Sequence, residues 1–380
     1  MKNYIFLLLV FSIFYSCTQD IRYSSNGTCE LTLQKFVSFP IGGDVNPISN
    51  RAVSFTDDQQ EFLAYVNPQN HLLIFSLDSN RLVREVHFDR DGPNEVLNVV
   101  GLYFHNADSI YILSGVPNLI ILSDIDGNVK DRIDISEMNI DDKYPDLFIS
   151  IHQNNNPVIL IDSELHFPIV FRDALDGKMD RIPLNITHGL LNKELDFSSI
   201  SMPLEHQIKS QGDLFYSRVY NGARWVYSFF LENKIYAIDN NDNKVEVKEC
   251  KSRYTSGKKL RPLRSKSKSI YAGGLSERYL SIVYDPWRKV YYRIFLPEEE
   301  VTKEMSDDDI NSLLECPTVF SVMILDENLF VIGETLMEER SYLPEMFFVS
   351  SEGLHFGLHI EHPEFSMDTL KFARFTVKEK

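Results

Sequence analysis

His71 to Phe88 reads HLLIFSLDSNRLVREVHF. A mostly apolar run leads into Asp78-Ser79-Asn80, and a second run returns from Leu82 to Phe88. Asp, Asn and Gly tolerate the positive φ that a tight hairpin needs, so the stretch predicts two antiparallel strands. Leu72-Leu73-Ile74-Phe75 is apolar at consecutive positions. A half-exposed sheet would alternate; a sheet covered on both faces reads this way.

The same unit recurs along the chain. Asn118–Ile125 leads into Asp126-Gly127-Asn128 and then Val129–Ile135. Phe167–Leu175, Asp176-Gly177-Lys178 and Met179–Leu184 repeat it, as do Lys234–Asp239, Asn241-Asp242-Asn243 and Val245–Glu249. Val319–Leu325, Asp326-Glu327-Asn328 and Leu329–Thr335 give a fifth copy. The first three turns start 48 and 50 residues apart, and the later spacings stretch to 65 and 85. A period of about 40–50 residues belongs to propeller blades. Two further strands precede the early turns, Ala52–Thr56 with Glu61–Val66, and Val99–His105 with Ser109–Ser114. Four antiparallel strands per unit make one blade.

The expected fold is therefore all-β, a six-bladed β-propeller of four-stranded blades. The last blade, Met346–Val349, Leu354–Ile360 and Leu370–Val377, lacks an outer strand. Leu31–Phe39 at the other end of the chain would complete it and leave no open edge. Seven blades is the alternative, if the 185–212 connector hides a degraded blade.

The N-terminus predicts export. Lys2 precedes an apolar run from Ile5 to Tyr15, and Ser16-Cys17 follows. The run is too short to span a bilayer, which takes about 20 apolar residues, and it fits the core of a secretory signal. A small residue followed by Cys resembles a lipobox, so Cys17 is the expected site of lipid attachment. Residues 1–16 then form the signal peptide, 17–30 a polar tether, and 31–380 the propeller. Cys29, Cys250 and Cys316 remain, without a C-x-x-C, so neither a disulfide framework nor a zinc site is expected.

The 380 residues carry a formal charge of -17 and are 43% hydrophobic, with 26 Phe and 18 Tyr. That composition excludes a disordered chain, and the charge argues against nucleic acid as a partner. Charge is uneven. Residues 248–268 hold nine basic residues against Glu249 alone. An acidic stretch, Glu298-Glu299-Glu300 with Asp307-Asp308-Asp309, follows, and Ser306 with Asp309 reads as a capping box for a short amphipathic helix.

In a propeller, inter-blade connections and second-to-third loops share one side. The long loops 89–98, 137–146, 185–212, 251–277, 297–318 and 336–345 all belong there, and long loops on a rigid scaffold are where binding resides. The candidate ligand contacts are Arg90, Asp91, Asn94 and Glu95 at the first junction. Lys251, Arg253, Tyr254, Lys258, Lys259 and Arg261 join them in the basic loop, which suits an anionic partner unless the acidic loop neutralises it.

Catalytic signatures are missing: there is no G-x-S-x-G, H-E-x-x-H or P-loop. His355, His359 and His362 look like a metal cluster, but four strand residues span about 13 Å, which points to a solvated or edge role. Asp124–Asn128 hints at calcium but already serves as a hairpin turn. No metal and no cofactor are expected.

Gly92-Pro93-Asn94, Lys251-Ser252-Arg253-Tyr254, Ile324-Leu325-Asp326 and Ile332-Gly333-Glu334-Thr335, with the lipobox, resemble the family called domain of unknown function 4221. These are envelope lipoproteins of Bacteroidetes. The resemblance implies a propeller, an outer-membrane location facing periplasm or cell surface, and a binding role; it carries no assigned chemistry. The expected function is a lipid-anchored module that binds a protein or glycan through its loop-rich face. The alternative is a polysaccharide- or ester-directed hydrolase or lyase with its site at the channel mouth.

Overall fold

The computed structural model describes residues 27–42, 45–67, 69–115, 118–134, 147–149, 154–171, 181–187, 190–195, 216–239, 244–257, 275–300 and 305–380. The fold is all-β, a succession of antiparallel meanders. β1 (Cys29–Pro40) is followed by a sheet of β2 (Ala52–Asp57), β3 (Gln60–Val66), β4 (His71–Ser76) and β5 (Arg81–His87), paired in chain order. β6 (Val99–Asn106), β7 (Ser109–Ser114), β8 (Leu119–Ser123) and β9 (Val129–Asp134) repeat it. The third sheet holds β10 (Leu147–Ile149), β11 (Ile159–Ile161), β12 (Glu164–Phe171), β13 (Arg181–Thr187) and β14 (Leu190–Leu195). The fourth is β15 (Tyr216–Tyr220), β16 (Arg224–Phe229), β17 (Lys234–Asp239) and β18 (Val245–Glu249).

The remaining strands form one eight-stranded sheet. β19 (Arg278–Asp285), β20 (Val290–Leu296), β21 (Ser321–Leu325) and β22 (Val331–Leu336) are one half. β23 (Tyr342–Ser350), β24 (Gly353–Leu358), β25 (Thr369–Glu379) and β1 are the other. The halves meet through one parallel bridge, Cys29 to Gly333. β1 pairs with β25 along its length, from Cys29 opposite Glu379 to Pro40 opposite Thr369. This is the partner the unassigned N-terminal strand was expected to take. An extra Cβ on Gly333 would stand 2.2 Å from the Cys29 carbonyl oxygen, so this contact requires glycine.

The middle strands are buried on both faces because sheets pack on sheets. All six residues of β7 are buried. Ala64 and Ile74 of the first sheet share a core with Leu102 and Ile112 of the second. Val37, Phe39 and Phe372 meet Leu63 and Phe75, joining the last meander to the first. The first strands are neighbours: β2 touches β6 and β23, and β19 touches β15 and β23. Meanders whose innermost strands gather side by side are the propeller plan. Across them lies Asn154–Asn156. The Asn155 carbonyl accepts from Arg218 N (2.9 Å) and Ser217 Oγ (2.7 Å), Ser281 Oγ donates to Asn155 Oδ1, and Asn154 Nδ2 donates to the Glu345 carbonyl (2.7 Å).

Three expectations need revision. The turn expected at Asp176 lies outside the described residues, but the strands that flank it show that it is not equivalent to those at Asp78 and Asp126. Residues 172–180 connect β12 to β13, the second and third strands of their meander; the third-to-fourth connection is 188–189. The 50-residue spacing thus compared unlike turns. Leu190–Leu195, read as connector, is β14, paired with β13. Finally, His355 and His359 are buried rather than solvated. His355 stacks on Phe348, with ring centroids 4.3 Å apart, and burial beside Arg374 pushes its imidazole down to about 3.

The capping box is present: Ser306 Oγ accepts from Asp309 N, and the Asp309 carboxylate accepts from Ser306 N. It starts α1 (Asp307–Glu315), which buries Ile310.

Candidate binding face

Strand direction decides which connections share a side. In each meander the first-to-second and third-to-fourth turns lie at one end, and the remaining loops lie at the other. The first end carries short turns: 58–59, 77–80, 107–108, 124–128, 286–289, 326–330 and 351–352. There Asp124 Oδ1 accepts from Asp126 N (3.0 Å) and Asn128 N (2.9 Å), closing its turn internally. The other end carries 41–51, 88–98, 250–277, 297–320, 337–341 and 359–368. The expected loop 336–345 shrinks to 337–341, because Leu336 ends β22 and Tyr342 starts β23. Loop 137–146 lies outside the described residues.

The chain enters the fold on the short-turn side. β25 and β1 are the third and fourth strands of their meander, so their junction stands where a third-to-fourth turn would. Lys380 N donates to the Thr28 carbonyl (2.6 Å), and Lys380 Nζ lies 3.4 Å from Glu30.

At the first junction, Arg90 and Asp91 are exposed and Asn94 and Glu95 half-buried. Asn94 Oδ1 accepts from Val129 N (3.1 Å), and Arg132 Nη2 donates to the Pro93 carbonyl (2.7 Å). Gly92, at φ 85°, turns the chain so that Glu95 N reaches the Gly92 carbonyl. Gly92-Pro93-Asn94 is thus fastened to β9, while Arg90 and Asp91 project.

The basic segment has a different core. Glu334 is 4% exposed and gathers four donors. They are Ser252 Oγ (2.5 Å), Ser321 Oγ (2.7 Å), Arg253 N (2.8 Å) and Arg253 Nε (3.4 Å). Glu277 accepts from Thr255 Oγ1 and Ser256 N. Ser252 N donates to Tyr279 OH, whose ring lies 3.4 Å beneath the Arg293 guanidinium. Two of the segments that carry the family resemblance therefore build one buried polar hub. Lys251 and Tyr254 flank it half-buried, and Arg253 is exposed beyond its Glu334 contact. Lys258, Lys259 and Arg261 lie outside the described residues. Among the described residues of this segment, Arg253 pairs with Glu334 and Lys248 with Glu246. Burial pushes the neighbouring Cys250 thiol up to about 11, which leaves it unreactive. The 88–98 junction and the hub stand on different sheets, and no contact joins them among the described residues.

At the inner end of this side, burial lowers the Arg278 guanidinium pKa while Glu345 and Glu299 pull it upward. Glu299 Oε1 also accepts from Thr318 N (2.7 Å). Both carboxylates thus act on one cation.

One cluster escaped the sequence reading. His71, Glu85 and His87 bring their ligand atoms within 4.8 Å of one another beside the 88–98 junction. The signal was in the opening stretch: hairpin register sets its first residue opposite its seventeenth, and Glu-x-His shares a strand face.

Comparison with known proteins gives the kinship. No curated protein matches the sequence. The chain is similar to a crystal structure of a member of the DUF4221 family from Bacteroides vulgatus. That match has TM-score 0.78 and 21% identity, and covers 93% of this chain and 99% of the other. It is also similar to a putative exported protein from Bacteroides fragilis, at TM-score 0.57 and 10% identity, covering 95% and 97%. The family model described as Domain of unknown function (DUF4221) matches residues 28–336. Kinship and architecture agree: this chain belongs to the DUF4221 family.

Proposed function

We propose that the chain is a lipid-anchored envelope protein of six four-stranded blades that binds a protein or glycan partner through its long-loop side. Residues 1–16 direct export, Cys17 carries the lipid, the residues from there to Thr28 form the tether, and the propeller starts at Cys29 with β1, the outer strand of the last blade. The similar Bacteroides fragilis protein described as exported is consistent with this placement. The basic segment 248–268 suits an anionic partner, and the acidic remainder of the chain disfavours nucleic acid.

The observation that carries the reading is the exposure of Arg90 and Asp91 on a loop whose next residues are fastened to β9. Gly27 packs against Gly333 as the chain enters on the short-turn side. The segment from Cys17 to Gly27 spans at most about 35 Å when extended. Gly27 also lies beside the Arg253 guanidinium, so a lipid at Cys17 would hold the start of the basic segment close to the tether, while Arg90 and Asp91, on another sheet, stay exposed for a partner. The test is fractionation with partner recovery. Cys17→Ser should release the protein from membranes. A double Arg90→Ala, Asp91→Ala variant should stay anchored and lose its co-purifying partner. Membrane retention of Cys17→Ser, or recovery of the same partner by the double variant, would contradict the reading.

Hydrolase or lyase chemistry at the channel mouth is the second reading. Arg278 with Glu345 and Glu299 is its best material. It requires that Glu345→Gln abolish turnover of a polysaccharide or ester; the binding reading has no turnover to lose.

A further inference from the structure

His71 opens β4 and His87 closes β5, and the two are directly opposed across the hairpin. Their rings lie 4.1 Å apart, centroid to centroid. Glu85 precedes His87 by two residues and so shares its strand face. One oxygen, Glu85 Oε1, lies 3.7 Å from His71 Nδ1 and 3.2 Å from His87 Nε2. In tetrahedral zinc sites, bonds of about 2.0–2.2 Å place neighbouring ligand atoms roughly 3.3 Å apart. The two distances from Glu85 are close to that spacing already, and all three ligand atoms lie within 4.8 Å of one another.

The backbone beneath these side chains is fixed. Asn67 is buried; its Oδ1 accepts from His71 N (2.9 Å), and its N donates to the His71 carbonyl (3.1 Å). Val86 and Phe88, on either side of His87, are buried in the core between the first two sheets. Ligands on paired strands with anchored backbones lose little freedom on closing around an ion. The side chains remain open to solvent: His71 is 32% exposed, Glu85 39% and His87 61%. Arg90 is the cation near enough to act on His71.

We propose that His71, Glu85 and His87 bind one divalent transition-metal ion of the zinc class at the rim of the long-loop side. Two imidazoles and a carboxylate suit zinc, nickel or copper rather than calcium or magnesium, which take oxygen ligands. Three protein ligands leave a fourth position for water or an outside donor, the layout of an exchangeable rather than a closed structural site. The site stands whether or not this side binds a partner, so its failure and that of the binding reading are separate results.

The test is titration of the tag-free full-length protein with zinc chloride against a chromophoric chelator, beside His87→Ala and Glu85→Gln. All three residues are partly exposed, so the metal-free variants should keep the wild-type circular dichroism and melting temperature. Wild type should bind one zinc saturably and melt higher with it. Each variant should lose more affinity than the roughly 10–100-fold that removal of an outer-shell partner costs. Absence of zinc binding in the wild type would overturn the proposal. So would wild-type affinity in both variants, which would put the ion elsewhere, for instance among the other histidines.

Discussion

Glu334 shows how a conspicuous segment divides between structure and surface. Its carboxylate takes donors from Ser252 and Arg253, in one connection, and from Ser321, at the start of β21. Removing a buried carboxylate leaves those donors unpaired, so Glu334→Ala should cost about 3 kcal/mol in urea unfolding, and Glu334→Gln less. An equal and negligible loss in both would show the hub to be dispensable. His355 makes a pH prediction. Its folded pKa near 3 lies below the roughly 6.5 of an unfolded histidine. Between those values the unfolded chain binds the extra proton, so stability is full above pH 6.5 and falls as pH drops toward 3. From pH 7 to pH 5 the loss should be about 2 kcal/mol. His359 and His362 are shifted in the same direction. The His355→Gln variant should lose less over that range; an unchanged slope would exclude His355 as a cause. Sequence could not show this burial. His355, His359 and His362 read as solvated because their spacing reveals separation along a strand, not which face the neighbouring meander covers.

At the scale of elements, the hairpins were legible where turn chemistry sits between runs of consecutive apolar residues. Lys234–Asp239, Val245–Glu249 and Ser109–Ser114 have the bounds read from sequence. The third sheet was not legible. Its Asp-Gly-Lys turn resembles the others locally, but turn chemistry does not record which pair of strands it joins. β14, as Leu190-Leu191-Asn192-Lys193-Glu194-Leu195, lacks the continuous apolar run that marked other strands. β1 was found by elimination, since the last meander needed an outer strand. Its eleven residue pairs with β25 predict a strong dependence on this strand. Deleting residues 27–40 should expose the β25 edge and cause aggregation. A synthetic peptide of that sequence, added during refolding, should restore a monomer. A truncated chain that stays monomeric with unchanged melting would contradict the closure.

For the whole molecule, the sequence separated most long loops from short turns, the third meander excepted, but treated all long-loop residues as equal candidates. The structure distinguishes them. Asn94 fastens its loop to β9 and Arg253 reaches Glu334, whereas Arg90 and Asp91 project without that duty. The cluster at His71, Glu85 and His87 becomes legible once hairpin register is applied, because it brings both ends of the hairpin together. The most direct test is site-specific photo-crosslinking in intact envelopes, with the probe at Asp91 on the long-loop side or at Asp326 on the short-turn side. The account predicts an adduct with a partner from Asp91 and none from Asp326. An adduct from Asp326 alone, or from neither position, would contradict it.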